Sequence, residues 1–265
     1  MGHSRIGTLP ATRKWKEVVS LIANYANEAE IAGAVMRAIG KKFATIREDA
    51  GFREAVGLIM QLALAGSSRN PAAELAAAGI SLSKTSTQID MVLSIGEEFD
   101  RRIEATRQRS DFSEVAQGAL VGAVTELLNK KEASQGSLFE AAGDDVTTAI
   151  KQLKQPANFG KFFHNFVGGM TNGLLKMYLS RTNGTHLGEG ERFATTNQLR
   201  QFESAMKTHC HEAAKIVDKF ASEWFSLHRF KGAGDISREK AEGFGWVAFN
   251  KMNLEQAARA SPHGN

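Results

Sequence analysis

At 265 residues, with 42% hydrophobic and 23% charged side chains, the chain has the make-up of a folded protein of one large domain or two modest ones. Its single cysteine, Cys210, excludes an internal disulfide framework and points to a reducing compartment. The net charge of +4 is mild and evenly spread, 17 Lys+Arg against 16 Asp+Glu up to Gln135 and 16 against 13 beyond, which falls short of the concentrated positive charge of most nucleic-acid binders.

No membrane segment is visible. The longest apolar stretch, Val56 to Ala65, is broken by Gln61 and is about half the roughly 20 residues that a bilayer span needs. The amino-terminal residues lack a hydrophobic signal core, and Ile6 stands where a myristoylation signal wants Ser or Thr. These features predict a cytoplasmic protein. Pro10, Pro71, Pro156 and Pro262 all fall between periodic segments, and strand-like runs of Val, Ile, Thr and Tyr are missing. The expected fold class is therefore all-α, a multi-helix orthogonal or bundle-like protein of roughly nine to eleven helices in two lobes.

In chain order, Met1 to Leu9 reads as an arm. Thr12 opens a helix whose inward face is Trp15, Val18, Val19, Ile22 and Tyr25. A second helix is expected from about Glu28 to Phe43. A third, from about Phe52 to Ala65, is apolar nearly all round and suits a central position. Asn70 and Pro71 cap and start a short alanine-rich helix that stops at Gly79. After a polar loop, Thr87 to Gln108 is helical, with Ile89, Val92, Leu93, Phe99 and Ile103 inward and Ile95 flanking them. Ser110 or Asp111 caps the next helix, to about Lys131.

Residues 133–144 break the periodicity and serve as a linker between lobes 1–132 and 145–255. Asp144 caps a short helix. Phe159 to Leu179 forms another, where Gly169 and Gly173 allow a neighbouring helix to come close. Ser180 to Gly190 reads as a glycine-broken loop. Thr195 or Thr196 caps the longest helix, to about His228, whose stripe Leu199, Phe202, Met206, Cys210, Ala213, Val217, Phe220, Trp224 and Leu227 is a sustained packing seam. Ser237 starts a last helix through Phe244, Val247, Ala248 and Met252, and residues 256–265 are expected to be a flexible tail.

Three groups of residues carry candidate chemistry. His209-Cys210-His211 offers zinc-type donors, but consecutive helical residues diverge by about 100° and cannot all face one metal. Cys210 also falls on the apolar stripe, so no metal site is expected. Arg13, Lys14 and Lys16 beside Trp15, and Lys151, Lys154 and Lys161 beside Phe159, Phe162 and Phe163, mix cations with aromatics as nucleic-acid surfaces do. Helical spacing sends the rings inward and leaves the cations in water. Arg181-Thr182-Asn183-Gly184-Thr185-His186 sets an arginine four residues before a histidine. This spacing resembles the R-x4-6-H signature of HEPN-type helical ribonucleases. The resemblance implies metal-independent cleavage, with Arg181 on the scissile phosphate and His186 shuttling a proton.

No phosphate loop, paired catalytic carboxylates or G-x-S-x-G serine is present, and no cofactor is implied. The first expectation for function is a non-enzymatic helical subunit or adaptor of a larger intracellular assembly, with another protein subunit as partner. A nucleic-acid-binding module and the ribonuclease stand as alternatives.

Overall fold

A computed structural model of the chain describes residues 12–81, 87–129, 142–230 and 236–260. Among them are eleven α-helices and no strand, as the composition predicts. They are α1 (Arg13–Ala23), α2 (Glu28–Ala38), α3 (Gly40–Thr45), α4 (Ala50–Ser67), α5 (Pro71–Ala77), α6 (Gln88–Thr106), α7 (Asp111–Asn129), α8 (Ala142–Gln152), α9 (Pro156–Asn183), α10 (Thr196–Phe230) and α11 (Arg238–Arg259). No helix of the described residues is long and apolar enough to cross a membrane.

Local chemistry sets most of the boundaries. The side chains of Thr12, Asn27, Asp49, Asn70, Thr87 and Ser237 each accept a hydrogen bond from a backbone N–H in the first turn of the helix they precede. Thr195 does the same for α10, accepting from the Gln198 N–H at 3.3 Å. Gly79 ends the turn after α5 at φ +87°, where a Cβ would meet the Glu98 carboxylate at 2.5 Å, so any side chain there is strained.

Two helices organise the core. The first is α4, buried nearly all round as its sequence predicts, with α5, α6, α7, α8 and α11 packed about it. The second is α9, with α10 along one side and α7 along another. Glycines bring these axes together. A Cβ on Gly173 would meet Val115 of α7 at 2.7 Å, and one on Gly160 would meet the Asp218 carbonyl of α10 at 2.5 Å. Phe159 and Phe225 stack at 4.3 Å where α9 meets α10, and Phe163 and Phe244 approach to 4.6 Å. The buried side chains form one continuous cluster drawn from both sides of the 133–144 junction, of which residues up to 141 lie outside the described ones. The arm at Met1 to Leu9 also lies outside them, as does the side chain of Asp144.

Several sequence expectations are corrected. The second helix is interrupted at Ile39, giving α2 and the short α3. On α6, Ile89 (70% exposed) and Leu93 (56%) face outward, and the inward face is Met91, Ile95, Glu98, Phe99 and Ile103. Glu98 holds that position because Arg101 donates to it through Nε and Nη2 at 2.7 Å each, and Arg102 through Nε at 2.6 Å. Arg102 also donates to the Gln61 amide oxygen at 2.8 Å and the Ala78 carbonyl at 2.7 Å, and Arg238 pairs with the buried Glu54.

The stretch Ser180 to Gly190 is not all loop, since α9 runs on to Asn183 and a 3-10 turn follows over Gly184–His186. Thr182 and Asn183 are buried there, so tertiary packing extends the helix past its apolar run. At the far end of the α10 seam, Ala221 and Phe225 take the core positions while Phe220 and Trp224 are half-buried and Leu227 is exposed. Val247 is likewise exposed on α11. That helix continues through the expected tail to Arg259, with Gln256 fully buried and Ala260 packed on Gly33.

Candidate functional site

The residues singled out by sequence fall in separate places. Arg13, Lys14 and Lys16 are exposed on α1 while Trp15 turns in against Tyr178, ring centroids 6.1 Å apart. Lys151 is exposed on α8, Lys154 just beyond it and Lys161 on α9, with Phe159, Phe162 and Phe163 buried. The cations and rings therefore do not share a surface, as helical spacing predicts.

Arg181 is exposed on the last turn of α9, and His186 closes the 3-10 turn that follows. Five residues along a helix correspond to a rotation of about 140°, so the two side chains leave the backbone in different directions. The His186 ring is largely covered. Its Nδ1 lies 3.3 Å from the Glu191 carboxylate, and its buried Nε2 has no hydrogen-bond partner among the described residues. A proton shuttle on substrate needs that nitrogen at the surface.

In the His209-Cys210-His211 triplet the three side chains diverge as expected. His209 Nε2 lies 2.6 Å from the Gln256 amide oxygen. His211 faces α9 beside Gly168, and its backbone carbonyl lies 2.8 Å from His164 Nε2. Burial holds the His211 imidazole below the ordinary histidine range, against the pull of the Glu126 charge. Cys210 is fully buried, and burial pushes its thiol up to about 12. No group of three or more His, Cys, Asp or Glu that could hold a metal ion occurs among the described residues. At pH 8 about one Cys210 in ten thousand is then thiolate, so native protein is expected to react with thiol reagents far more slowly than unfolded protein. Equal labelling rates with and without denaturant would contradict that burial.

The feature that sequence reasoning missed is a run of three clefts along α9. One, lined by Lys161, His164, Lys215 and Lys219, adjoins at Asn165 a second of about 370 Å³ between α7, α9 and α10. Gly118 and Gly122 of α7 open this second cleft, since a Cβ on either would meet nothing within 4 Å. Glu114, Glu126, His211 and Lys207 supply its charged and titratable groups. Asn172 and Lys207 connect it to a third cleft, of about 270 Å³, between the carboxyl half of α9 and the amino half of α10. Asn183 lines the third cleft, and its Oδ1 is buried without a hydrogen-bond partner among the described residues. The orphaned carbonyl could have been sought in the sequence only as an asparagine that remains on the buried face of a helix past its apolar run.

No protein-family model matches this chain, and no curated protein or solved structure is significantly similar to it.

Proposed function

We propose that the chain is a helical subunit of an intracellular assembly that works through protein contacts, using the outer face of the α10–α11 hairpin. A second copy of the chain is the partner that this face fits. The lone, buried, unreactive Cys210 suits a reducing compartment.

The observation that carries the reading is a row of exposed aliphatic side chains along the hairpin. Ile216 and Leu227 lie on one flank of α10 with the half-buried Phe220, and Val247 and Leu254 lie on one flank of α11. The helices run antiparallel, with His209 against Gln256 at one end and Trp224 stacked on Phe244 at the other. Lys251 sits over the Phe220 ring at 5.1 Å, which places the two flanks side by side. Single exposed aliphatics are ordinary, whereas a row rimmed by charge marks a contact surface.

Self-complementarity selects the second copy. An antiparallel pairing of α10 with its copy, centred between Ala221 and Ser222, sets Ile216 opposite Leu227 in both halves, as a two-fold interface requires. The same register brings the exposed Lys219 of each copy beside the exposed Glu223 of the other. Sedimentation equilibrium tests the reading. The chain is expected to approach twice its 28.8 kDa mass as concentration rises, and Leu227→Glu is expected to remain at 28.8 kDa and to melt, at every concentration, where the parent melts in dilute solution. A parent chain that stays monomeric at every concentration contradicts the proposal.

A further inference from the structure

We propose that the groove between α9 and α10 is a track for the phosphate backbone of a single-stranded nucleic acid. The first indication is where the chain places its charge. Residues 146–188, which hold the whole of α9, contain five lysines and arginines and no aspartate or glutamate. A stretch so one-sided attracts polyanions even where the net charge of the whole chain is mild.

The second indication is the register of the two helices. On α9, Lys161, Asn165, Asn172 and Lys176 follow one another at four, seven and four residues, close to whole turns, so they share one face. On α10, Arg200, Lys207, Lys215 and Arg229 follow at seven, eight and fourteen residues, again one face. The two faces line the same connected clefts, from Arg200 and Lys176 through Lys207 to Lys161 and Lys215. Arg229 carries the row on to the start of α9, where it donates to the Lys154 carbonyl. All six cations are exposed, and the helical rise makes the row about 43 Å long. Acids are few beside it. Glu203 lines one end, Asp218 lies against Gly160, and Glu114 and Glu126 stand on the α7 rim, where Arg109 engages Glu114. Glu212 pairs with Lys215 at 2.6 Å, an exposed contact of little strength.

The lining decides between polyanions. An acidic protein segment draws its affinity from aromatic or aliphatic anchors in pockets, and the two clefts that meet at Asn165 are lined by charged groups, carboxamides and small side chains. Charge alone supplies most of the affinity for nucleic acid, through counterions released from its phosphates. Asn165 and Asn172 add amide N–H donors of the kind that hold a backbone in register. The phenylalanines of α9 are all buried, so bases find no ring to stack on and the track reads no sequence. Packed helix axes lie about 8–10 Å apart, and a groove of that width admits one strand rather than a duplex.

Fluorescence anisotropy of the full chain with a labelled oligothymidylate of about twelve nucleotides tests the assignment. Six phosphate contacts predict that log K falls against log salt with a slope of about −4. Lys161→Ala and Lys176→Ala, both at exposed positions, are each expected to weaken binding and to flatten that slope by about 0.7, with an unchanged melting temperature. Lys14→Ala, on the exposed face of α1, is expected to change neither affinity nor slope. A duplex of the same length and polyglutamate are expected to compete more weakly than the unlabelled strand. Absence of binding at about 50 mM salt, a loss from Lys14→Ala equal to that from Lys161→Ala, or equal competition by the duplex or by polyglutamate overturns the proposal.

Discussion

Phe225→Ala is expected to destabilise the chain by about 3–5 kcal/mol, lowering the melting temperature by roughly 10 °C. The ring is fully buried and stacks on Phe159 where α10 crosses α9, a place held close by Gly160. Nothing nearby can collapse into the space without moving one of the two longest helices. Trp224→Ala is expected to lose less, because that half-buried ring rests on Phe244 and His228 at the rim. In dilute solution, where the chain is monomeric, Leu227→Ala should change little, within about 0.5 kcal/mol. The three residues span one helical turn, so denaturant melts of the three variants read the register of α10 directly. A greater loss at Leu227 than at Phe225 would mean that the seam faces the other way.

Glu98→Gln is the second large effect, about 1.5–3 kcal/mol, because it removes the charged hydrogen-bond partner of the mostly buried Arg102 and leaves Glu54, at 3.8 Å, as its nearest carboxylate. Gln61 and the Ala78 carbonyl still accept from Arg102, but neither carries charge. The same group gives the parent an acid-sensitive component. Hydrogen bonding from Arg101 is the largest influence holding the Glu98 carboxyl below its usual range, with Arg102 adding to it and burial opposing it. A depressed carboxyl contributes stability that is fully present above its unfolded pKa of about 4.3 and is lost as pH falls through the lower folded value. Asp49 acts in the opposite sense, since burial raises its pKa and favours the protonated form. Denaturant melts from pH 6 down to pH 3 are therefore expected to show a shallower acid loss for Glu98→Gln than for the parent. Equal slopes would place Glu98 outside the network.

The helices were legible in the sequence where local chemistry decides them. Asn70, Thr87 and Ser237 cap where their side chains predict, and Gly169 and Gly173 mark the approach of α7 to α9. Register failed where charge is buried. Glu98 reads as a surface residue, so hydropathy alone puts Ile89 and Leu93 on the inward face of α6, whereas the arginines make the glutamate an inward group. Helix ends failed where packing overrides propensity, as at Thr182 and Asn183. The cleft escaped because its parts are ordinary on each helix alone. Lys176 and Asn183 on α9 and Arg200 and Lys207 on α10 line one cleft only when the axes are brought together.

The contact face is tested most directly by its register. Cysteines introduced together as Ile216→Cys and Leu227→Cys lie about 16 Å apart along one helix, so they cannot form a disulfide within a chain. Across the proposed two-fold pairing each faces its counterpart, and mild oxidation is expected to give covalent dimers through two disulfides, with the buried Cys210 unmodified. Monomers alone after oxidation, with both introduced thiols free to label, would contradict the account.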